Sequence, residues 1–163
     1  MSSYANATRT QSRHESTWFW VDAVNWRDCA QWLNAQGFTR CEWVTATHIG
    51  DDLFAVTLAV ANLDVSEQMI VQTQVSSTID SLSDIYPSAQ FHEREMRQLL
   101  GLDFENLSNV EPAFNADFAG YPLRRDFALP ERISTPWPGQ VDPEKAARRR
   151  PTLAPGVRQE WLP

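Results

Sequence analysis

Three consecutive stretches with a two-residue hydrophobic period, Cys41 to Ile49, Leu53 to Ala61 and Gln68 to Ser76, constrain the fold of this chain more than any other feature. Side chains alternate between faces along a strand, so such a period marks strands with one face in a core. In the first run Cys41, Trp43, Thr45 and Thr47 alternate with Glu42, Val44 and Ala46. In the second, Phe54, Val56, Leu58 and Val60 share a face; in the third, Met69, Val71 and Val75 point inward, with Gln72 and Gln74 outward. Gly50-Asp51-Asp52 has the composition of a tight turn and predicts an antiparallel hairpin, and Asn62 to Glu67 predicts a second, looser turn. Trp18 to Val21 reads as one more short strand. Asn25 is an N-cap candidate for a helix to about Gln36, with Trp26, Cys29, Ala30 and Leu33 on one stripe and Gly37 as its stop. That stripe places Cys29 in the core rather than at a reactive surface. Strand, helix, three strands and then helices predict an α+β fold: a mostly antiparallel four-stranded sheet with helices packed on one face.

The 163 residues suffice for one domain and a tail. Residues 1–16 are polar and predict a disordered N-terminal tail, residues 17–105 the α+β domain, and residues 106–163 an extended proline-rich C-terminal arm. Nine of the ten prolines follow residue 106. A formal net charge of -7 speaks against nucleic acid or anionic lipid as the main partner. No apolar run approaches bilayer-spanning length and the start does not resemble a signal peptide, so the expected location is cytoplasmic. Cys29 and Cys41 are the only cysteines, too few for the four thiolates of an iron-sulfur cluster. His14, His48 and His92 are scattered, and His92-Glu93 lacks the second histidine of a zinc-protease helix because Met96 stands at that place. Neither a metal nor a cofactor is expected in this chain, and no convergent catalytic set is present. Arg148 to Arg150 is a charge run expected to be solvated.

Ser76 to Thr78 and Asp80 to Asp84 read as a short capped helical turn leading into the stretch from Tyr86 to Phe127. That stretch begins as a helix with Ser88 as its N-cap and Gly101 as its end. Helical angles place Ala89, His92, Met96, Leu99 and Leu100 on one face and Gln90, Arg94, Arg97 and Gln98 on the other. Glu93 is expected to form a solvated pair with Arg97, four residues on. Glu95 falls at the margin of the apolar face, where a carboxylate needs a partner to offset desolvation. Arg124 and Arg125 are the candidates: one is expected to pair with Glu95, the other to face a partner chain, with Asp126 as a nearby counter-charge.

Glu93-Arg94-Glu95 with Gly101-Leu102-Asp103-Phe104, and then Gly120-Tyr121-Pro122-Leu123-Arg124-Arg125-Asp126, resembles the signature of the C subunit of the proton-pumping NADH:quinone oxidoreductase, respiratory complex I. The same module occurs in related membrane-bound nickel-iron hydrogenases. Pro136 to Gly139, Ala154 to Val157 and Glu160-Trp161 are similar to tails of actinobacterial members. Asn106 to Pro112 departs from the Gly-His-Pro-Asp-Leu-Arg-Arg segment usual in that family. The resemblance implies a cofactor-free accessory subunit of the peripheral arm, held at the cytoplasmic side of the membrane through the complex. Its partners would be the large quinone-site subunit, or a hydrogenase-like catalytic subunit, and neighbouring peripheral-arm subunits; iron-sulfur clusters and quinone would belong to those partners. The alternatives are the equivalent subunit of a hydrogenase-type complex and a free-standing interaction module.

Overall fold

The structure is a computed structural model that describes residues 4–13, 16–114 and 118–129. The prolines from Pro130 onward, Arg148 to Arg150 and the tail motifs named above lie outside the described residues, as does His14. Chain order is β1 (Arg9–Arg13), β2 (Ser16–Trp20), a 3-10 turn, α1 (Trp26–Ala35), β3 (Arg40–Gly50), β4 (Leu53–Asn62), β5 (Glu67–Val75), β6 (Thr78–Asp80), α2 (Ala89–Leu100) and β7 (Asp103–Glu105).

The three alternating runs form β3, β4 and β5, paired antiparallel in sequence order. Both turn residues between β3 and β4, Asp51 and Asp52, have φ near the left-handed region, at 48° and 59°. That is the backbone a two-residue hairpin requires, and aspartate tolerates it better than most side chains. α1 carries β2 across to the far edge, giving the sheet order β1-β2-β5-β4-β3 with β2 parallel to β5. β2 and β3 are therefore the outer members of a split βαβ unit with a hairpin inserted between them.

Phe19, Val44, Phe54, Val56, Leu58, Val60, Met69 and Val71 line the inner face and share one core with Trp26, Cys29, Ala30 and Leu33 of α1 and Ala89, Met96 and Leu100 of α2. The four buried α1 residues are those of the sequence stripe, and Gly37, with φ 91°, ends the chain's helical path. Burial pushes the Cys29 thiol up to about 12, an inert core sulfur. Tyr86 is fully buried, its hydroxyl 3.0 Å from the Phe38 carbonyl oxygen and 3.2 Å from that of Ala30. It joins the entry to α2 to the middle of α1 and to the α1–β3 connection.

Several expectations are corrected. The main sheet has five strands, not four, because part of the expected N-terminal tail is structured: β1 pairs antiparallel with β2 and Tyr4 is buried against Trp32. Polar composition concealed β1, since an edge strand buries little and is held by backbone bonds. Thr78–Asp80 belongs to strand β6, parallel to β7 in a two-stranded sheet, and not to a helical turn. Three-residue strands leave no periodic signal. The first compact unit runs to Ala128.

Candidate docking face along the second helix

α2 sits in a different rotational phase from the one its apolar residues suggest. Its buried positions are Ala89, Glu93, Met96 and Leu100, while His92 and Leu99 are only half-buried. Glu93 is 0% exposed, so this carboxylate, and not that of Glu95, is the one taken out of water. Two donors make that possible: Ser81 Oγ donates to Oε2 at 2.6 Å and the Leu82 backbone N–H donates to Oε1 at 2.7 Å. Burial still outweighs both bonds and holds the Glu93 carboxyl above its ordinary range. The loop that supplies the donors is itself tied down, because Arg27 of α1 donates to the Ser81 carbonyl and pairs with Asp84.

The expected Glu93–Arg97 pair is absent; Arg97 Nε pairs with Asp103 Oδ1 at 3.0 Å. Among the described residues Glu95 pairs with neither arginine. Arg124 instead pairs with Asp52 of the β3–β4 turn, approaches Asp126 at 3.6 Å, and lies over the rings of Phe54 and Tyr121. It pairs within this chain, while Arg125 is exposed, its guanidinium reaching the Ile49 carbonyl at 3.4 Å and no other partner among the described residues. The Arg125 backbone N–H donates to His48 Nδ1 at 3.1 Å. His48 is buried, and accepting at Nδ1 places its hydrogen on Nε2, which has no partner among the described residues.

The chain after β7 returns along the outer side of α2. Arg94 donates through Nε to the Glu111 carbonyl at 2.7 Å and through Nη2 to the Pro112 carbonyl at 2.9 Å. Gln98 accepts from the Phe114 N–H at 2.7 Å, Gln90 donates to Ser108 Oγ at 2.8 Å, and Leu123 N–H donates to the Leu99 carbonyl at 3.1 Å. The polar face of α2 is thus a rail that holds the returning chain at residues 108, 111–114 and 123. Gly101 ends the helix with φ 73°, and a Cβ there would meet the Tyr121 ring at 2.7 Å. Phe104 is buried in β7, Gly120 has φ 96°, and Pro122 and Leu123 occupy the turn that precedes Arg124.

Between the rail and the returning chain lies an open groove of about 460 Å³ lined by Arg94, Arg97, Glu111, Phe118 and Tyr121 among others. A second cavity of about 260 Å³ adjoins it, lined by Gln98, Leu99, Phe114, Phe118 and Pro122. Phe91, Val110, Phe114, Phe118, Tyr121 and Leu123 are all more than two-fifths exposed around these openings. Phe91 meets Phe114 edge-on at 6.2 Å. No nucleophile, base and acid converge here, and among the described residues no group of three or more His, Cys, Asp and Glu side chains could hold a metal. The chemistry this face supports is binding. The sequence assigned no role at this face to His48, Asp52, Ser81 or Phe118, and of these only Asp52, as a turn residue, had a local signal; Tyr121 was marked only as part of the signature.

A split βαβ domain whose signature helix presents an apolar and cationic face is the class defined so far. Residues 19–133 match the profile of the respiratory-chain NADH dehydrogenase 30 Kd subunit, and the chain belongs to that family. It is 32% identical over 105 residues to the C subunit of the NADH-quinone oxidoreductase of Vesicomyosocius okutanii subsp. Calyptogena okutanii, covering 59% of this chain and 50% of that one. It is 34% identical over 120 residues to the J subunit of the chloroplastic NAD(P)H-quinone oxidoreductase of Physcomitrium patens, covering 68% of this chain and 71% of that one. The chain spans about half the length of the first bacterial relatives it matches. Its fold is similar to a chain of the archaeal membrane-bound sulfane sulfur reductase complex, with TM-score 0.69 and 22% identity over 77% of this chain and 79% of that one. It is also similar to a trypsin-resistant fragment of Nqo5, with TM-score 0.53 and 19% identity over 58% and 82% of the two chains. No helix among the described residues is long and apolar enough to cross a membrane.

Proposed function

We propose that this chain is the cofactor-free accessory subunit of an NADH:quinone oxidoreductase, packed through α2, residues 107–114 and residues 118–127 on the large quinone-site subunit at the cytoplasmic side of the membrane. The observation that carries the proposal is the cluster of exposed aromatic and aliphatic side chains from Phe91 to Leu123, on the very stretch that bears the signature. A monomeric surface seldom keeps so many large apolar groups together, whereas an interface core is enriched in them. Family membership supports the assembly, since the relatives are named as subunits of quinone oxidoreductases. Nicotinamide oxidation and quinone reduction would be carried out by partner subunits, with iron-sulfur clusters and quinone held there. Signature residues Glu93, Gly101, Phe104, Gly120 and Pro122 shape the face from within, and Arg94, Leu123 and Arg125 are the members that reach it.

Purification of the tagged chain from its native membranes in mild detergent tests this reading. The large quinone-site subunit and its neighbours should co-purify in fixed ratio, and the separated chain should show neither stoichiometric metal nor visible absorbance. Recovery of the chain alone, or of a stoichiometric metal with the separated chain, would sink the proposal. Co-purification of a hydrogenase-type catalytic subunit would move the assignment to that related complex.

A further inference from the structure

We infer that the groove and the apolar cavity beside it form one two-part socket for a partner segment that carries a carboxylate next to a large apolar side chain. This deepens the proposed function and rests on it. Arg94 and Arg97 bring two guanidinium groups to the groove, in a chain whose net charge is -7. Arg94 is occupied by the carbonyls of Glu111 and Pro112, which accept hydrogen bonds without neutralising charge, and among the described residues no carboxylate pairs with it. Arg97 pairs through Nε with Asp103 and leaves its side chain 41% exposed. Among the described residues Glu111 is the one carboxylate lining the groove, and it forms no ion pair with either arginine.

The second half of the socket has the opposite character. Leu99, Phe114, Phe118 and Pro122 surround a cavity of about 260 Å³ whose walls are almost wholly apolar, and Gln98 and Phe118 line both openings. An arginine fork beside an apolar pocket discriminates by geometry: the fork takes a carboxylate in two parallel bonds, and the pocket takes an anchor from the same segment. A basic segment would bring like charges together, and a purely apolar one would take the Arg94 guanidinium further out of water with only neutral carbonyls beside it and no counter-charge among the described residues. The backbone of residues 111–114 is already held to α2 by Arg94 and Gln98, so the socket is formed before a partner arrives. The occupant is therefore a segment of a partner protein, acidic at one position and aromatic or long aliphatic within a residue or two.

Photo-crosslinking in the native complex followed by charge exchange provides the test. With p-benzoylphenylalanine in place of Phe118 in the full chain, crosslinks should fall on one partner segment with an Asp or Glu within about two residues of the crosslinked site. Arg97→Glu should lower the amount of chain recovered in the complex roughly tenfold or more. Exchange of the partner carboxylate for lysine should restore it. Arg97→Gln should give a smaller loss that the lysine exchange does not repair. Thermal melts of both variants should stay close to the parent, because the Arg97–Asp103 pair is exposed. Crosslinks to lipid, to residues 130–163 of the same chain or to a segment without a carboxylate would overturn the socket, as would normal assembly of Arg97→Glu. Those outcomes differ from a failure of the proposed function, in which no quinone-oxidoreductase subunit accompanies even the unaltered chain.

Discussion

Glu93 shows how a single side chain sets the phase of the helix that carries it. A carboxylate with no exposure would normally be expelled, yet Ser81 Oγ and the Leu82 N–H meet its two oxygens, and α2 turns so that this residue faces inward. Glu93→Ala leaves the buried Leu82 N–H without an acceptor, while Ser81 Oγ can turn to Ser83 Oγ at 2.8 Å, and should cost about 1 to 3 kcal/mol in a denaturant titration. Glu93→Gln keeps the shape and lets the side-chain oxygen accept from Leu82 while its amide donates to the serine hydroxyl. The native carboxyl is held above its ordinary range by burial, so the folded state binds its proton more tightly than the unfolded state does. Stability from this group is then full below the unfolded value, about pH 4.3, and is lost as pH rises through the folded value. The difference in Tm between Glu93→Gln and the parent should shift in favour of the glutamine form between about pH 4 and neutrality. A constant difference over that range would show that the two hydrogen bonds balance the desolvation completely.

At the scale of elements, the C-terminus of α2 and the turn around Tyr121 are one device. The Gly101 N–H makes the last helical bond, to the Arg97 carbonyl, its left-handed φ then turns the chain out of the helix, and the bare Cα gives the Tyr121 ring a seat. The first role was readable from the sequence as a helix stop. The second was not, since nothing in the spacing of residues 101 and 121 says that the chain returns. Gly101→Ala should cost about 1 to 3 kcal/mol, the left-handed strain together with the displaced ring. Hydrogen exchange should accelerate at Leu123 and Arg124 while β4 and β5 stay protected. Unchanged exchange at Leu123 would separate the helix end from the returning chain.

Across the whole described unit, three polar connections bring distant parts of the sequence together, one of them through the core residue Tyr86. Arg27 ties α1 to the loop before α2, Tyr86 ties α2's entry to the α1–β3 connection, and His48 with Asp52 ties the β3–β4 hairpin to residues 121–127. The last is the connection nearest the docking face. His48→Ala removes the acceptor for the Arg125 N–H and a ring packed at 5.2 Å on Phe54, while Asp52→Asn removes the charge opposite Arg124 but keeps a residue suited to the turn. The histidine change should destabilise by about 1 to 3 kcal/mol and the asparagine change by at most about 1, since Asp52 is exposed. Both should speed exchange over residues 121–127 more than in the sheet. Equal acceleration throughout would mean that His48 holds up the core and not the returning segment.

Local period and turn chemistry by themselves determined β3, β4, β5 and α1 together with the hairpin at Asp51-Asp52, because each is encoded within a dozen residues by which side chains must leave water. They also determined where α2 starts and stops, through Ser88 and Gly101, although Ser88 supplies no side-chain cap. The tertiary structure alone decided the phase of α2, the choice of Glu93 over Glu95 as the buried carboxylate, and the pairing of Arg124 with Asp52. In each case the deciding atom comes from elsewhere: a donor at Ser81, a carboxylate at residue 52, a ring at residue 121. Hydrophobic burial is a property each residue carries along the chain, and so it is visible in one dimension. A hydrogen bond or ion pair belongs to two residues at once, and its second member is known only when the chain has folded back on itself.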